Sequence, residues 1–444
     1  MTKIYSIFIK TFCLLVALCT FTVSNAQSWV KKFDLTGANA VFVGAGGNII
    51  ASNYYYDYEG NDIVYLGGIY YSQDQGETWT KCDVRDFNYS RFFQVDDYIF
   101  ALGEGCNIAR SKDDGITWEI LNYAYALKGI VDDKALEYGI AYASVYHNKR
   151  LYIGDGNGGG VLYSEDYGET WQLTDRESLK FNLYGDEVLD TYYDMAVNND
   201  EILLFGVYMI YRYDIENDKW ILLRNDSNFM GVPVTYGNKL ICGRGIINYD
   251  MNASFLEYTE DGGRTWGTLP RPEGEANNAI RTTATDQVNL YVGIQMGEMY
   301  YTKDLGENWT IISDGLPYTV NPEHGTKVYE HVVSLDLDSD YLYVAVYDEP
   351  WSGSTLSGVY RYKISELPQA SVGTITNDAH KVFFNDNNLC LARPANIAIY
   401  NITGALVSAI NNCNCLNLDN LANGVYIYEI CDANTRTTGK FIKK

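Results

Sequence analysis

An eight-residue pattern, Ser/Thr-x-Asp-x-Gly-x-Thr/Asn-Trp, occurs five times in this chain, and few folds can use one turn five times over. The copies are Ser72 to Trp79 (SQDQGETW), Ser111 to Trp118 (SKDDGITW), Ser164 to Trp171 (SEDYGETW), Thr259 to Trp266 (TEDGGRTW) and Thr302 to Trp309 (TKDLGENW). Each couples a short acid that accepts from turn amides, a glycine free to take positive φ, and a tryptophan that packs down over the turn. Such a unit braces two strands. Asp74, Asp113, Asp166, Asp261 and Asp304 invite a catalytic reading, but a catalytic group is needed once and a brace in every repeat. With Trp79, Trp118, Trp171, Trp266 and Trp309 they are read as structural.

The pattern resembles the Asp-box, or bacterial neuraminidase repeat, which joins the third and fourth strands of a β-propeller blade. The resemblance implies a fold rather than an activity, because sialidases, xyloglucan-degrading enzymes, sortilin-type receptors and non-catalytic assembly factors all carry the box. The rest of the sequence agrees with it. Segments such as FFQVDDYIFALG (92–103), SVYHNKRLYIG (144–154), PVTYGNKLICG (233–243) and TTATDQVNLYVG (282–293) place alternating apolar residues around polar turns, a hairpin signal. The same signal recurs at 195–223 and 332–364 without a good box, although Asp214 and Trp220 keep a trace of one. Blades are therefore expected near 39–82, 90–121, 140–174, 192–224, 233–270, 280–313 and 330–367, close to the ~40-residue blade period. Trp29 to Leu35 (WVKKFDL) is expected to pair into the last blade and close the ring, removing two open edges. Forty Tyr, forty Gly and only eight Pro suit such short twisted strands. The expected class is all-β, a seven-bladed Asp-box β-propeller followed by a small C-terminal β-sandwich.

Residues 1–26 carry Lys3 and Lys10 ahead of an apolar run and end in Ser24-Asn25-Ala26, which reads as a secretory signal peptide. No later apolar run is long enough to span a bilayer, so no transmembrane segment is expected after signal removal. The propeller is assigned to 27–368, a polar linker to 369–380 and a second domain to 381–444. That domain resembles the type A C-terminal sorting domain of the type IX secretion system, through Ile399-Tyr400-Asn401 with Gly404, the Leu421-x-x-Gly424-Val425-Tyr426 motif and the closing Gly439-Lys440-Phe441-Ile442-Lys443-Lys444. The resemblance implies a Bacteroidetes-type host, the type IX machinery as a partner, and a secreted or outer-membrane-surface location.

Signal removal takes two lysines and no acid, moving the formal charge from −24 to 31 − 57 = −26. Such a surface repels phosphate backbones and argues against nucleic-acid partners. Seven cysteines remain of nine, and an odd number forbids complete intramolecular pairing. Cys413-Asn414-Cys415 is too short for the usual zinc or redox motif.

Sialidases with this repeat clamp the substrate carboxylate with three arginines, the first in an Arg-Ile-Pro motif ahead of the first box. Here no arginine lies between residue 27 and Arg85, so that activity is not implied. Family geometry places ligands on the face away from the boxes. The long connections there, 54–66, 122–138, 175–194, 314–331 and 348–357, offer Tyr56, Tyr58, Tyr125, Tyr184, Tyr318 and Trp351 as stacking platforms. They also offer Asp186, Glu187, Glu323, Asp348 and Glu349 as acids. Flat rings beside carboxylates suit sugars, and Tyr56, Tyr58, Tyr318, Glu323, Asp348 and Trp351 are the foremost candidates. No catalytic residue, metal or cofactor is assigned: Gly154 to Gly159 matches GxGxxG but leads into a strand, and Asp336, Asp338 and Asp340 lack the glycine and closing glutamate of a calcium loop. The expected function is binding of an extracellular glycan or protein. The alternatives are a non-sialidase glycoside hydrolase and an assembly or scaffold factor for surface proteins.

Overall fold

Among the described residues, seven four-stranded antiparallel sheets, six of them meanders of consecutive strands, occupy the stretch from Val30 to Lys363 in a computed structural model of the protein. The structure describes residues 28–59, 62–156, 158–225, 232–243, 256–270, 280–294, 298–320, 325, 327–347, 356–368 and 382–443, apart from 386–387, 402–404, 423 and 432–435. The first strands of the sheets are Ala38–Val43, Tyr89–Val95, Ala141–His147, Tyr192–Asn198, Val234–Tyr236, Ile280–Thr285 and His331–Leu337. Residues from or immediately beside all seven line one central cavity of about 370 Å³. The sheets are thus the blades of a seven-bladed β-propeller with these strands innermost.

Each box is built from the same bonds. In the third, the Ser164 hydroxyl donates to Asp166 Oδ1 (2.8 Å) and accepts from the Gly168 N–H (2.7 Å). The Asp166 carboxylate accepts from the Thr170 N–H (2.8 Å) and hydroxyl (2.6 Å), and Trp171 Nε1 donates to the Gly168 carbonyl (3.0 Å). Gly168 sits at φ +92°, a region open to glycine at little cost. In the fifth box Trp309 departs from the pattern and donates to the carbonyl of Pro270. The box trace in the fourth blade is wired differently: Asp214 accepts from Asn217, while Trp220 stacks on Tyr213 at 4.6 Å and donates to the Thr174 hydroxyl.

The tryptophans do more than cover their own turns. Trp118, Trp171, Trp266 and Trp309 each pack into an apolar cluster shared with the preceding blade, and Trp79 does so between the last blade and the first. Trp220 fills the seam of blades three and four, and Trp29 that of blades six and seven. Every seam therefore holds one indole.

Val30–Asp34 pairs antiparallel with Gly358–Lys363 and supplies the fourth strand of the last blade, as expected from WVKKFDL. The first box grips this closing strand. Phe33 stacks on Trp79 at 4.8 Å, Lys32 pairs with Glu77 at 2.6 Å, and Arg361 on the neighbouring strand donates to the Gln75 carbonyl and to Glu77. Trp29, buried, donates to the Ile312 carbonyl through its indole and to Asp314 through its backbone.

The chain divides after Pro368 into two compact units. Among the described residues the C-terminal unit has five strands in one branched sheet whose longest member, Asn388–Asn401, pairs with Val382–Asn385, Leu406–Asn417 and Gly424–Cys431 and shifts register around Arg393-Pro394. Leu389 and Leu391 from one half of that strand share a cluster with Ile397 and Ile399 from the other, so a single bent sheet wraps its own core. This half-barrel is how the expected sandwich-like module is built. Cys390 and Cys415, directly opposed on neighbouring strands, form a disulfide, whereas Cys82, Cys106 and Cys413 are free thiols.

Trp29→Ala should open the last seam and cost about 3–5 kcal/mol, the usual range for losing a buried indole. Urea unfolding of the full chain checks this, with Val30→Ala at the exposed start of the same strand as a near-neutral control.

Candidate functional site

In a four-stranded meander the first-to-second and third-to-fourth connections lie at one end, and the other connections at the opposite end. The box end carries only short turns. Asn148-Lys149 and Asn199-Asp200, for example, have positive φ at both positions, which fits two-residue hairpin turns. Inserted elements leave from the other end: the arm of Ile49–Glu59 and Asp62–Ser72, helices Ala124–Leu127 and Asp133–Tyr138, the hairpin of Phe181–Leu183 with Asp186–Val188, and that of Tyr318–Val320 with Lys327–Tyr329.

Six inner strands slip by one residue near their starts, between Ala38 and Ala40, Tyr89 and Arg91, Ala141 and Ala143, Tyr192 and Asp194, Ile280 and Thr282, and Val332 and Ser334. A bulge re-aims side chains. Of the skipped residues, Ser90, Tyr142, Tyr193 and Val333 line the central cavity at its loop-rich end. There Arg91 of the second blade reaches past the third and pairs with Asp194 of the fourth at 2.7 Å. The Asp194 side chain is 2% exposed and also accepts from the Met195 N–H. Burial pushes its pKa up to about 6 against the pull of Arg91. Ser90 Oγ and Arg91 Nε are buried without a hydrogen-bond partner. Deeper along the channel, Asp336 lines the cavity wall, and desolvation there likewise raises it to about 6 although Val43 and Leu337 donate to it.

A second concavity of about 400 Å³ lies on the same face where blades one and two meet, walled by Tyr54, Arg85, Asp86, Phe87, Glu104 and Glu137. Arg85 covers the Phe87 ring at 4.4 Å, and burial raises the pKa of Glu104, opposed by a hydrogen bond from Tyr54.

Of the residues singled out from sequence, Tyr56 and Tyr58 fall on the blade-one arm, paired with Tyr65 and Ile63. Tyr318 is 41% exposed, set edge-on to Tyr329 at 5.7 Å, with the Lys327 ammonium 4.2 Å from its ring centre, so one of its faces is already in use. Glu323, Asp348 and Trp351, with Glu349, lie outside the described residues. Tyr125 lies against the edge of the third blade, its hydroxyl accepting from the Trp171 N–H, and Tyr184 stands fully exposed at a hairpin tip. Asp338 is a turn acid that accepts from the Asp340 and Tyr341 amides. Sequence reasoning missed Arg91, Tyr142, Tyr193 and Asp194. Their signal is positional: each lies one or two residues beyond a buried residue that opens an inner strand.

Residues 70–81 match the BNR/Asp-box repeat, and residues 376–444 match the secretion system C-terminal sorting domain. The chain is an Asp-box propeller with a sorting domain. That makes it a secreted or cell-surface protein of a Bacteroidetes-type bacterium, addressed to the type IX machinery. Among the described residues no helix is long and apolar enough to cross a membrane. A xyloglucanase, Xgh74A of Acetivibrio thermocellus, is 24% identical over 318 residues, 63% of this chain and 33% of its own length. The chain thus spans about a third of that relative. The extracellular domain of a one-component system of B. thetaiotaomicron superposes with a TM-score of 0.50 at 10% identity, covering 94% of this chain and 59% of its own. YCF48 from Cyanidioschyzon merolae gives 0.48 at 12% identity, with 77% and 100% covered. The B. thetaiotaomicron domain shares the fold.

The folded-state pKa values of Asp194 and Asp336 lie above the unfolded value of about 3.9. The stability tied to their protonation is therefore full below that value and lost as the pH climbs through about 6. Arg91→Ala leaves Asp194 without its counter-charge and should cost about 3–5 kcal/mol at neutral pH. The penalty should shrink at pH 5, where Asp194 takes up a proton; unfolding curves of wild type and variant at the two pH values check it. The box acids behave oppositely. Thr78 and Thr265 hold Asp74 and Asp261 down to about 2, so their contribution is present above about 3.9 and lost only as the pH falls through about 2.

Proposed function

We propose that this propeller binds an extracellular glycan or protein ligand through its loop-rich face, centred on the channel mouth, and has no catalytic step of its own. The observation that carries the reading is the Arg91–Asp194 pair. Taking two charges out of water is costly, and an ion pair of this kind is weak evidence for stability alone. Boxes recur because they brace blades, whereas this pair occurs at one point among the described inner strands, and its Arg91 lines the central cavity with Tyr142 and Tyr193. Perturbed acids in clefts concentrate at functional sites. Tyr142 and Tyr193 offer ring faces, and Tyr193 is 38% exposed. The similarity to a xyloglucanase makes a plant-type or other extracellular polysaccharide the first ligand class to try.

The enzyme alternative rests on the corner cleft, where Glu104 and Glu137 supply the two carboxylates a glycosidase requires and burial holds Glu104 toward its protonated form. The scaffold alternative requires a protein ligand at the same face.

Full-length protein incubated with a panel of extracellular polysaccharides separates these readings. Retention without new reducing ends supports binding, and Tyr193→Ala should then weaken it about tenfold, the loss expected for one stacking ring. New reducing ends that vanish in Glu104→Gln would replace this reading with hydrolysis. Co-purification of surface proteins with no retention on any glycan would favour the scaffold.

A further inference from the structure

The third box differs from the others at the residue before its glycine. That residue has positive φ in every copy, and it is Gln75, Asp114, Gly262 and Leu305 elsewhere but Tyr167 here. A bulky ring is unusual in that region of backbone space. Its locking role needs no ring. In the second box Asp114 secures the neighbouring turn by accepting from the Gly46 and Asn48 amides, and in the fourth the Gly262 N–H does so by donating to Asn198. Tyr167 makes the equivalent lock through its hydroxyl, which donates to Asp96 at 2.7 Å, and the ring is surplus to that bond.

The ring lies beside two others. Tyr98 lies 5.0 Å away, tilted, and Tyr146 lies 6.4 Å away and nearly parallel, at 20°. Arg110 and Lys112 cover Tyr98. Tyr146 and Tyr167 instead wall a cleft of about 510 Å³ with Asp96, Lys149, Leu151 and Glu165. That volume is within the range of small-molecule sites. Its rim mixes a cationic donor with carboxylate acceptors, and Glu165 is held in place by Arg150 at 2.7 Å.

We infer that this cleft, on the box face of blades two and three, is a sugar-binding site for a pyranose unit of a neutral polysaccharide. The C–H face of such a ring stacks on the tyrosines, its vicinal hydroxyls donate to Asp96 or Glu165, and Lys149 donates in return. The site is separate from the loop-rich face and does not depend on a ligand binding there.

Native gels containing xyloglucan, mixed-linkage β-glucan or dextran test it with the full chain. Tyr167→Gln installs the residue the first box already carries at φ +59°, so the turn has a precedent for accepting it. Wild type should be slowed by at least one polysaccharide. Tyr167→Gln and Tyr146→Ala should each weaken that retardation about tenfold, as for loss of a stacked ring, while Tyr167→Gln still unfolds in one cooperative transition, its midpoint lowered by loss of the Asp96 bond and the ring contacts. Lys149→Asn, which tolerates the left-handed backbone, should weaken it less. Tyr193→Ala should leave this component in place. Unchanged mobility of wild type in all three gels overturns the assignment, as does wild-type retardation of Tyr167→Gln, or retardation abolished by Tyr193→Ala alone.

Discussion

One indole in each blade seam is the constraint on which the propeller depends. Seven of the eight tryptophans are used this way, five from boxes and two, Trp29 and Trp220, from places where the box is missing or decayed. A twisted sheet stacked face to face on its neighbour leaves a wedge that widens outward, and a large flat side chain fills such a wedge. The box fixes where that side chain stands. Its hydrogen bonds hold a hairpin, but its larger effect is to present an apolar plate to the adjoining blade.

That arrangement separates the two faces. Because boxes and short turns occupy one end of every blade, insertions are tolerated mainly at the other, where helices and hairpins accumulate without disturbing a seam. The channel mouth collects the polar residues the seams exclude. The edges are handled by the same insertions: Tyr125 accepts from the Trp171 N–H and Ser178 from the Trp220 N–H, so outer strands that would invite pairing with another chain are partly covered.

Fold and site were unequally legible in the sequence. Six of the seven blade positions could be read within a residue or two because the box, the alternating strands and the Asn or Asp turns are local chemistry. The closing strand was legible because WVKKFDL has a strand pattern and no blade of its own. The Arg91–Asp194 pair was not, since it joins residues 103 apart and depends on two bulges in different blades. Tyr318 looked like an open platform, yet only the hairpin register shows Lys327 lying over it. Cysteine parity allowed many pairings; it took the opposition of Cys390 and Cys415 on adjacent strands to select one.

The closing strand also sets an order of events. Val30–Asp34 and its partner Gly358–Lys363 are separated by more than three hundred residues, so the ring cannot close until the chain has been made through that partner. The residues that match the sorting domain begin at 376, directly after that partner. Every residue that the ring needs therefore precedes the export address in the chain. A chain that stops early has neither, and a chain long enough to be addressed is long enough to close.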